Sequence, residues 1–257
     1  LLRRRSDYFK PATKKMPNDV NVSSRPLSKD IDNQRPEGFR GVSAFPQDKR
    51  AEHGFDNRAD HLTMSPLLME SFLKLSQDIA ASPDINPKEC RSWNWLFAAP
   101  GKDVPQAKSI RDRLAKLLRR AFRQPVEAAT VERFANFAEK QIADGASWET
   151  AMRRVVSAVL GMPDFLYIYD SPSPGTKPTG RQRIDDFELA TRLAQFFWSS
   201  ITDDTLLDLA AAGKLSNPKI LSEQIDRMMN DKKIGRFTDN FPAQWLQLDR
   251  LVTSIPD

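Results

Sequence analysis

From Ser65 onward the apolar residues of this chain recur three and four positions apart, and no stretch alternates apolar with polar. That spacing places apolar side chains on one face of a helix and is incompatible with a half-buried strand. Each run is bounded by residues that start or stop helices. Ser65-Pro66 is an N-cap followed by proline at the first helical position, with Leu68, Phe72, Leu75 and Ile79 behind it and Pro83 closing the run. Asp103 and Pro105 open a second run, whose stripe is Ile110, Leu114, Leu117, Leu118 and Phe122. Thr130 is expected to cap a third, which Gly145 ends in the left-handed conformation that glycine adopts freely. Ser147 caps a fourth, ahead of Met152, Val155, Val156 and Val159. Asp185 with Glu188 three residues later reads as a capping-box start. Thr202 is expected to begin a short helix that ends at Gly213, and Asn217-Pro218 starts the next. The last runs from about Lys232 through Trp245 to Leu248, with Pro242 expected to kink or interrupt it. The predicted fold is all-α, an irregular multi-helix bundle of about eight helices.

Before Ser65 the pattern is different. Prolines recur at Pro11, Pro17, Pro26, Pro36 and Pro46, and the apolar residues show no sustained period. Proline fixes φ and removes a backbone donor, so long helices and central strands are disfavoured. Residues 1–64 therefore read as an extended Pro-rich N-terminal arm, expected to lie across a surface of its own domain or of a partner. Residues 65–169 form one helical subdomain, 170–183 (DSPSPGTKPTGRQR) a surface loop, and 184–257 a second subdomain expected to pack on the first. Leu1 and Leu2 before Arg3, Arg4 and Arg5 fit either the stub of a removed apolar segment or an ordinary basic terminus.

Composition narrows the chemistry. The chain has one cysteine, Cys90, so it forms no internal disulfide and offers no thiolate cluster. Two histidines and one cysteine leave few nucleophile–base arrangements. No glycine-rich phosphate loop, Gly-x-Ser-x-Gly elbow or His-Glu-x-x-His motif occurs. No run of apolar residues is long enough to span a bilayer. The net charge of +5 is a mild excess. Aromatic residues do not interleave the arginines as a nucleic-acid stacking platform requires, so no nucleic acid is expected. No cofactor is expected from the residues present.

The remaining candidates divide by chemistry. His53, Asp56, Asp60 and His61 are the densest set of metal-ligand types, but their spacing fits no zinc motif and the surrounding Gly-Phe-Asp-Asn block reads as a turn. The pairs Asp185-Asp186 and Asp203-Asp204 have the residue type for acid–base work on a polysaccharide, yet both sit where carboxylates cap helices. Contacts to a partner are expected from Tyr8, Phe9, Phe39 and Phe45 in the arm and from Trp93 and Trp95 in the loop after Cys90. Arg119, Arg120 and Arg123 on the arginine-rich helix complete that set. Trp198 and Trp245 follow helical stripes and are expected in the core.

Three blocks of sequence carry a resemblance. They are HGFDNRADHLTMSPLLMESFL at 53–73; LAKLLRRAFRQPV at 114–126 with GASWETAMRRVVSAVLGMPDFLY at 145–167; and DDFELATRLAQFFWSSITDDTLLDLAAAGKL at 185–215, continuing to FPAQWLQLDRL at 241–251. In this order they resemble a planctomycete-type exported protein family known only as domains of unknown function, the 1592 group with its neighbouring 1587- and 1595-type segments. Members are often fused to c-type cytochrome domains or carry carbohydrate-binding-like modules, and no catalytic residues transfer from them. The resemblance implies a periplasmic or otherwise extracytoplasmic place. It also implies an accessory role by protein–protein contact, with a c-type cytochrome or a membrane electron-transfer complex as partner and only peripheral membrane contact. This chain departs from the pattern in lacking a Cys-x-x-Cys-His haem attachment. The alternative implied is a module that binds or degrades a cell-surface polysaccharide through carboxylates and loop tryptophans.

Overall fold

The computed structural model describes residues 65–168 and 184–246. The arm and the loop at 170–183 lie outside the described residues, and so do Tyr8, Phe9, Phe39 and Phe45 and the four candidate metal ligands His53, Asp56, Asp60 and His61. Among the described residues there are nine α-helices and no β-strand, so the chain is all-α. They are α1 (Pro66–Ala81), α2 (Gln106–Phe122), α3 (Ala128–Ala143), α4 (Trp148–Leu160), the single turn α5 (Pro163–Leu166), α6 (Asp186–Trp198), α7 (Asp204–Ala211), α8 (Pro218–Met229) and α9 (Gly235–Trp245). A π-helical turn at Trp93–Phe97 and a 3₁₀ turn at Lys232–Ile234 complete the list.

The starts follow the chemistry of orphan amides. Ser65, Ser147, Asp185 and Asn217 each accept backbone N–H bonds in the first turn of the helix that follows. Two starts are displaced from the sequence expectation. α3 begins at Ala128 rather than after Thr130, because the Glu127 carbonyl already accepts the Thr130 and Val131 amides at 3.0 and 3.2 Å. α7 is capped by Asp203, whose carboxylate accepts the Leu206 amide at 3.0 Å, while Thr202 is buried beneath it. The stretch after Cys90, expected as a loop or short turn, contains the π turn; it closes through the Ala98 amide on the Trp93 carbonyl at 2.8 Å and buries Leu96 and Phe97. Pro242 does not interrupt α9. The carbonyl that its missing N–H leaves without a helical donor belongs to Thr238, which is exposed and open to water.

The contacts divide the described chain into two compact units. The first takes in 65–117 and 127–166. Its centre is α4, which packs against α1, α3 and the π turn and buries Ala151, Met152, Val155 and Val159. Removing Met152, Val155 and Val159 from water stabilises the fold by about 1.5–3 kcal/mol each. Arg153, on the flank of α4, donates to the carbonyls of Ala80 at 2.7 Å, Ser82 and Ile85, and its Nε reaches Glu149 at 2.8 Å. One guanidinium thereby gathers three carbonyls at and beyond the end of α1.

The second unit takes in 118–126, 167–168 and 184–246. Its core is Ala190, Ala194, Trp198, Leu206, Ala210, Leu215 and Met228, drawn from α6, α7, α8 and the turn between the last two. Alanines along α6 let its neighbours approach closely. Trp198, fully buried, donates its indole N–H to the Met228 carbonyl at 3.1 Å, and Lys233 lies 4.3 Å over its ring.

Candidate functional site

The consecutive aromatics Phe196 and Phe197 cannot point the same way on a helix. Phe197 packs against the core of the second unit, and Phe196 is 49% exposed. Along α9 the residues Phe237, Phe241 and Trp245 stand four apart, which stacks them on one stripe. The two faces meet. The Phe196 ring centroid lies 5.1 Å from Phe237 and 5.6 Å from Phe241, both edge to face. Phe237 and Phe241 stack at 5.3 Å, and Trp245 continues the series 6.0 Å from Phe241. Trp245 is 64% exposed and Leu246 is 57% exposed. This corrects the expectation that Trp245 lies in the core: its stripe meets Phe196 at the surface, whereas the stripe of α6 that ends at Trp198 meets the core. The result is a contiguous aromatic ladder open to solvent, of the kind that marks an interaction surface.

The edges of the ladder carry mixed charge. Arg192, one helical turn before Phe196, pairs with the buried carboxylate of Glu188. Arg236 donates to the Trp198 carbonyl at 3.2 Å, and Asn240 bonds Ser199 at 2.5 Å, fixing α9 to the end of α6. Asp239 is exposed.

The carboxylate pairs serve the fold. Asp185 caps α6 through the Glu188 amide at 2.7 Å, and Asp186 accepts the Leu215 and Ser216 amides at 2.8 and 3.1 Å. Asp203 caps α7 and accepts from Arg227 at 2.8 Å, while Asp204 pairs with Arg120. Each of these four carboxylates is thus engaged by backbone amides or by a guanidinium.

The arginines proposed for partner contact are also engaged. Arg119 pairs with Asp208 at 2.5 Å, and Arg120 grips Asp204 through Nε at 2.8 Å and through Nη2. Arg123 is buried and donates to the Ala121 and Tyr167 carbonyls at 3.0 and 2.5 Å. Burial takes Arg123 out of any contact surface; the sequence placed it on the outer face of α2, but it follows the helix end at φ 61° and turns inward. Earlier on α2, Arg111 bonds Glu132 at 2.8 Å and Glu139 at 2.6 Å. The Arg111 guanidinium holds the Glu132 carboxyl below its ordinary range and is itself held protonated.

Trp93 and Trp95 are half-buried, with Trp93 tilted against Phe97 at 5.8 Å and Lys116 5.2 Å over Trp95. Nearby, residues 99–106 and Trp148 line a hollow of about 530 Å³ whose charged residues are Lys102 and Asp103. Arg113 lies 5.0 Å over Trp148, and burial lowers its pKa. Burial likewise pushes the Cys90 thiol up, away from the reactive thiolate. Among the described residues no group of three His, Cys, Asp or Glu stands close enough to hold a metal, and no helix is long and apolar enough to cross a membrane.

Three family models match the chain in order: a protein of unknown function, PSD3 (DUF1587), over residues 38–83; PSD5 (DUF1595) over 109–170; and PSD4 (DUF1592) over 184–257. The chain carries these three domains of unknown function. The aromatic ladder lies wholly within the DUF1592 segment, and α2, α3 and α4 supply most of the DUF1595 segment. Neither the curated proteins nor the solved structures returned a match.

Nothing in the sequence pattern separated Phe196 from an ordinary core residue. The available signal was the pair Phe196-Phe197 together with three aromatics spaced by four in α9, more apolar surface than one helix face can bury.

Proposed function

We propose that this chain is a non-catalytic accessory module that works outside the cytoplasm by binding protein. The observation that carries this reading is the ladder of Phe196, Phe237, Phe241 and Trp245, an exposed apolar face built on two helices whose mutual position is fixed by Arg236 and Asn240. Such a face is costly to leave in water, and aromatic side chains are the usual anchors of protein contacts. The engagement of Asp185, Asp186, Asp203 and Asp204 in caps and ion pairs supports the same reading over a carboxylate enzyme. The resemblance to exported proteins fused to cytochromes extends the proposal: the module is a subunit docked on a c-type cytochrome or a membrane electron-transfer complex. That extension rests on analogy of architecture.

The test is purification of the full chain from its native source, beside a Trp245→Glu variant. Proteins that co-purify with the wild type and are lost from the variant support the contact role. Haem absorbance in that fraction supports the cytochrome as partner. An identical set of co-purifying proteins and an identical oligomeric state for both chains together sink the proposal.

A further inference from the structure

We infer that the occupant of the aromatic ladder is a second copy of this chain, so that the module pairs face to face through α6 and α9. The inference rests on the reading that this face contacts protein.

Area comes first. Phe196, Trp245 and Leu246 are 49%, 64% and 57% exposed, and Phe237 and Phe241 are partly covered. With large side chains presenting about 150–250 Å² each, the five leave roughly 400 Å² of apolar surface in water. Interfaces are only about 56–65% apolar, so an apolar centre of that size belongs to roughly 700 Å² per protomer. Doubled, this is about 1,400 Å², within the range of stable protein pairs.

Shape and charge select the partner. Phe237, Phe241 and Trp245 form a ridge at i, i+4 and i+8. Ridges of that spacing seat in the grooves beside a like ridge, crossing at about −50°, and a two-fold axis between two copies makes the two insertions equivalent. Rings that already pack edge to face within one protomer offer the same edges and faces to another. The stretch Asn240–Leu246 carries no charged residue, so two copies approach along it without like-charge repulsion. An anionic membrane would instead call for a surplus of Lys and Arg around the ladder. Here Arg192 is paired with Glu188, and α9 carries one arginine, Arg236, and one aspartate, Asp239, with no surplus of positive charge along it.

Sedimentation velocity of the full chain from low to high micromolar concentration tests the inference. The expected result is a reversible monomer–dimer equilibrium. Trp245→Glu and Phe196→Glu, at exposed positions, each weaken it by roughly tenfold or more, as for an aromatic anchor. Leu67→Glu, equally exposed but on α1, leaves it unchanged. Far-UV circular dichroism confirms that each variant folds. A wild-type chain that stays monomeric throughout overturns the inference, and so does a dimer that both ladder variants leave intact. A monomer that binds vesicles of phosphatidylcholine and phosphatidylglycerol through Trp245 overturns it in favour of a lipid surface. If the chain is monomeric but Trp245→Glu still removes co-purifying proteins, the self-pairing fails while the protein-contact role stands.

Discussion

Arg123 Nη2 donates to the carbonyl of Tyr167 at 2.5 Å, from a residue held in the left-handed region at φ 61°. The two halves of that statement oppose each other. A non-glycine residue in this conformation costs about 1–3 kcal/mol, and hydrogen bonds from a charged donor return about 1.5–3 kcal/mol each. Arg123→Ala keeps the strain and loses the bonds, so urea unfolding is expected to show a loss of about 2–4 kcal/mol. Arg123→Gly loses the same bonds but relieves the backbone, and is expected to lie about 1 kcal/mol above the alanine variant. Equal losses in the two variants would remove strain from the account.

Trp198 makes a second comparison possible. Trp198→Ala empties the centre of its unit and is expected to cost about 3–5 kcal/mol by thermal or urea unfolding. Trp198→Phe retains most of the packing and leaves the Met228 carbonyl without its 3.1 Å donor, for an expected loss of about 1–3 kcal/mol. A phenylalanine variant as stable as the wild type would show that water replaces the indole donor.

Asp203 links a cap to an ion pair. Asp203→Ala frees the Leu206 amide and Arg227 together, with an expected loss of about 1–2 kcal/mol. Asp203→Asn retains the capping oxygen and is expected to recover most of that loss in the same unfolding experiment. An asparagine variant as unstable as alanine would place the weight on Arg227.

The starting points of the helices were legible in the residues and their covers were not. Ser65, Ser147, Asp185 and Asn217 act locally, through an amide two or three residues away, so their role is written in the adjacent sequence. Thr202 failed as a start because its neighbour Asp203 has the better acceptor. Trp245 failed as a core residue for a deeper reason. Periodicity says that Phe237, Phe241 and Trp245 share a face, but only the position of α6 decides that this face meets Phe196 at the surface. The partners of Arg120 and Arg119 were not legible because Asp204 and Asp208 are 84 and 89 positions away.

Glu132 yields a prediction in pH. Its folded pKa is depressed by Arg111, so the pair favours the folded state above the unfolded pKa of about 4.3. That contribution is lost as pH falls through the lower folded value. Carbon-detected NMR is expected to place the Glu132 midpoint below about 4.3, and Arg111→Gln to return it toward that value. A midpoint unmoved by Arg111→Gln would mean that the guanidinium does not set it.

Helix α2 runs unbroken from Gln106 to Phe122, yet its residues up to Leu117 belong to one compact unit and those from Leu118 to the other. The aspartates Asp204 and Asp208 of the DUF1592 segment find Arg120 and Arg119 inside the DUF1595 segment. Borders drawn by sequence likeness are therefore not borders of self-sufficient folding. A gene rearrangement that carried residues 184–257 to a new host without 118–126 would strand two carboxylates. Whatever moved one segment would leave its ion-pair partners behind in the other.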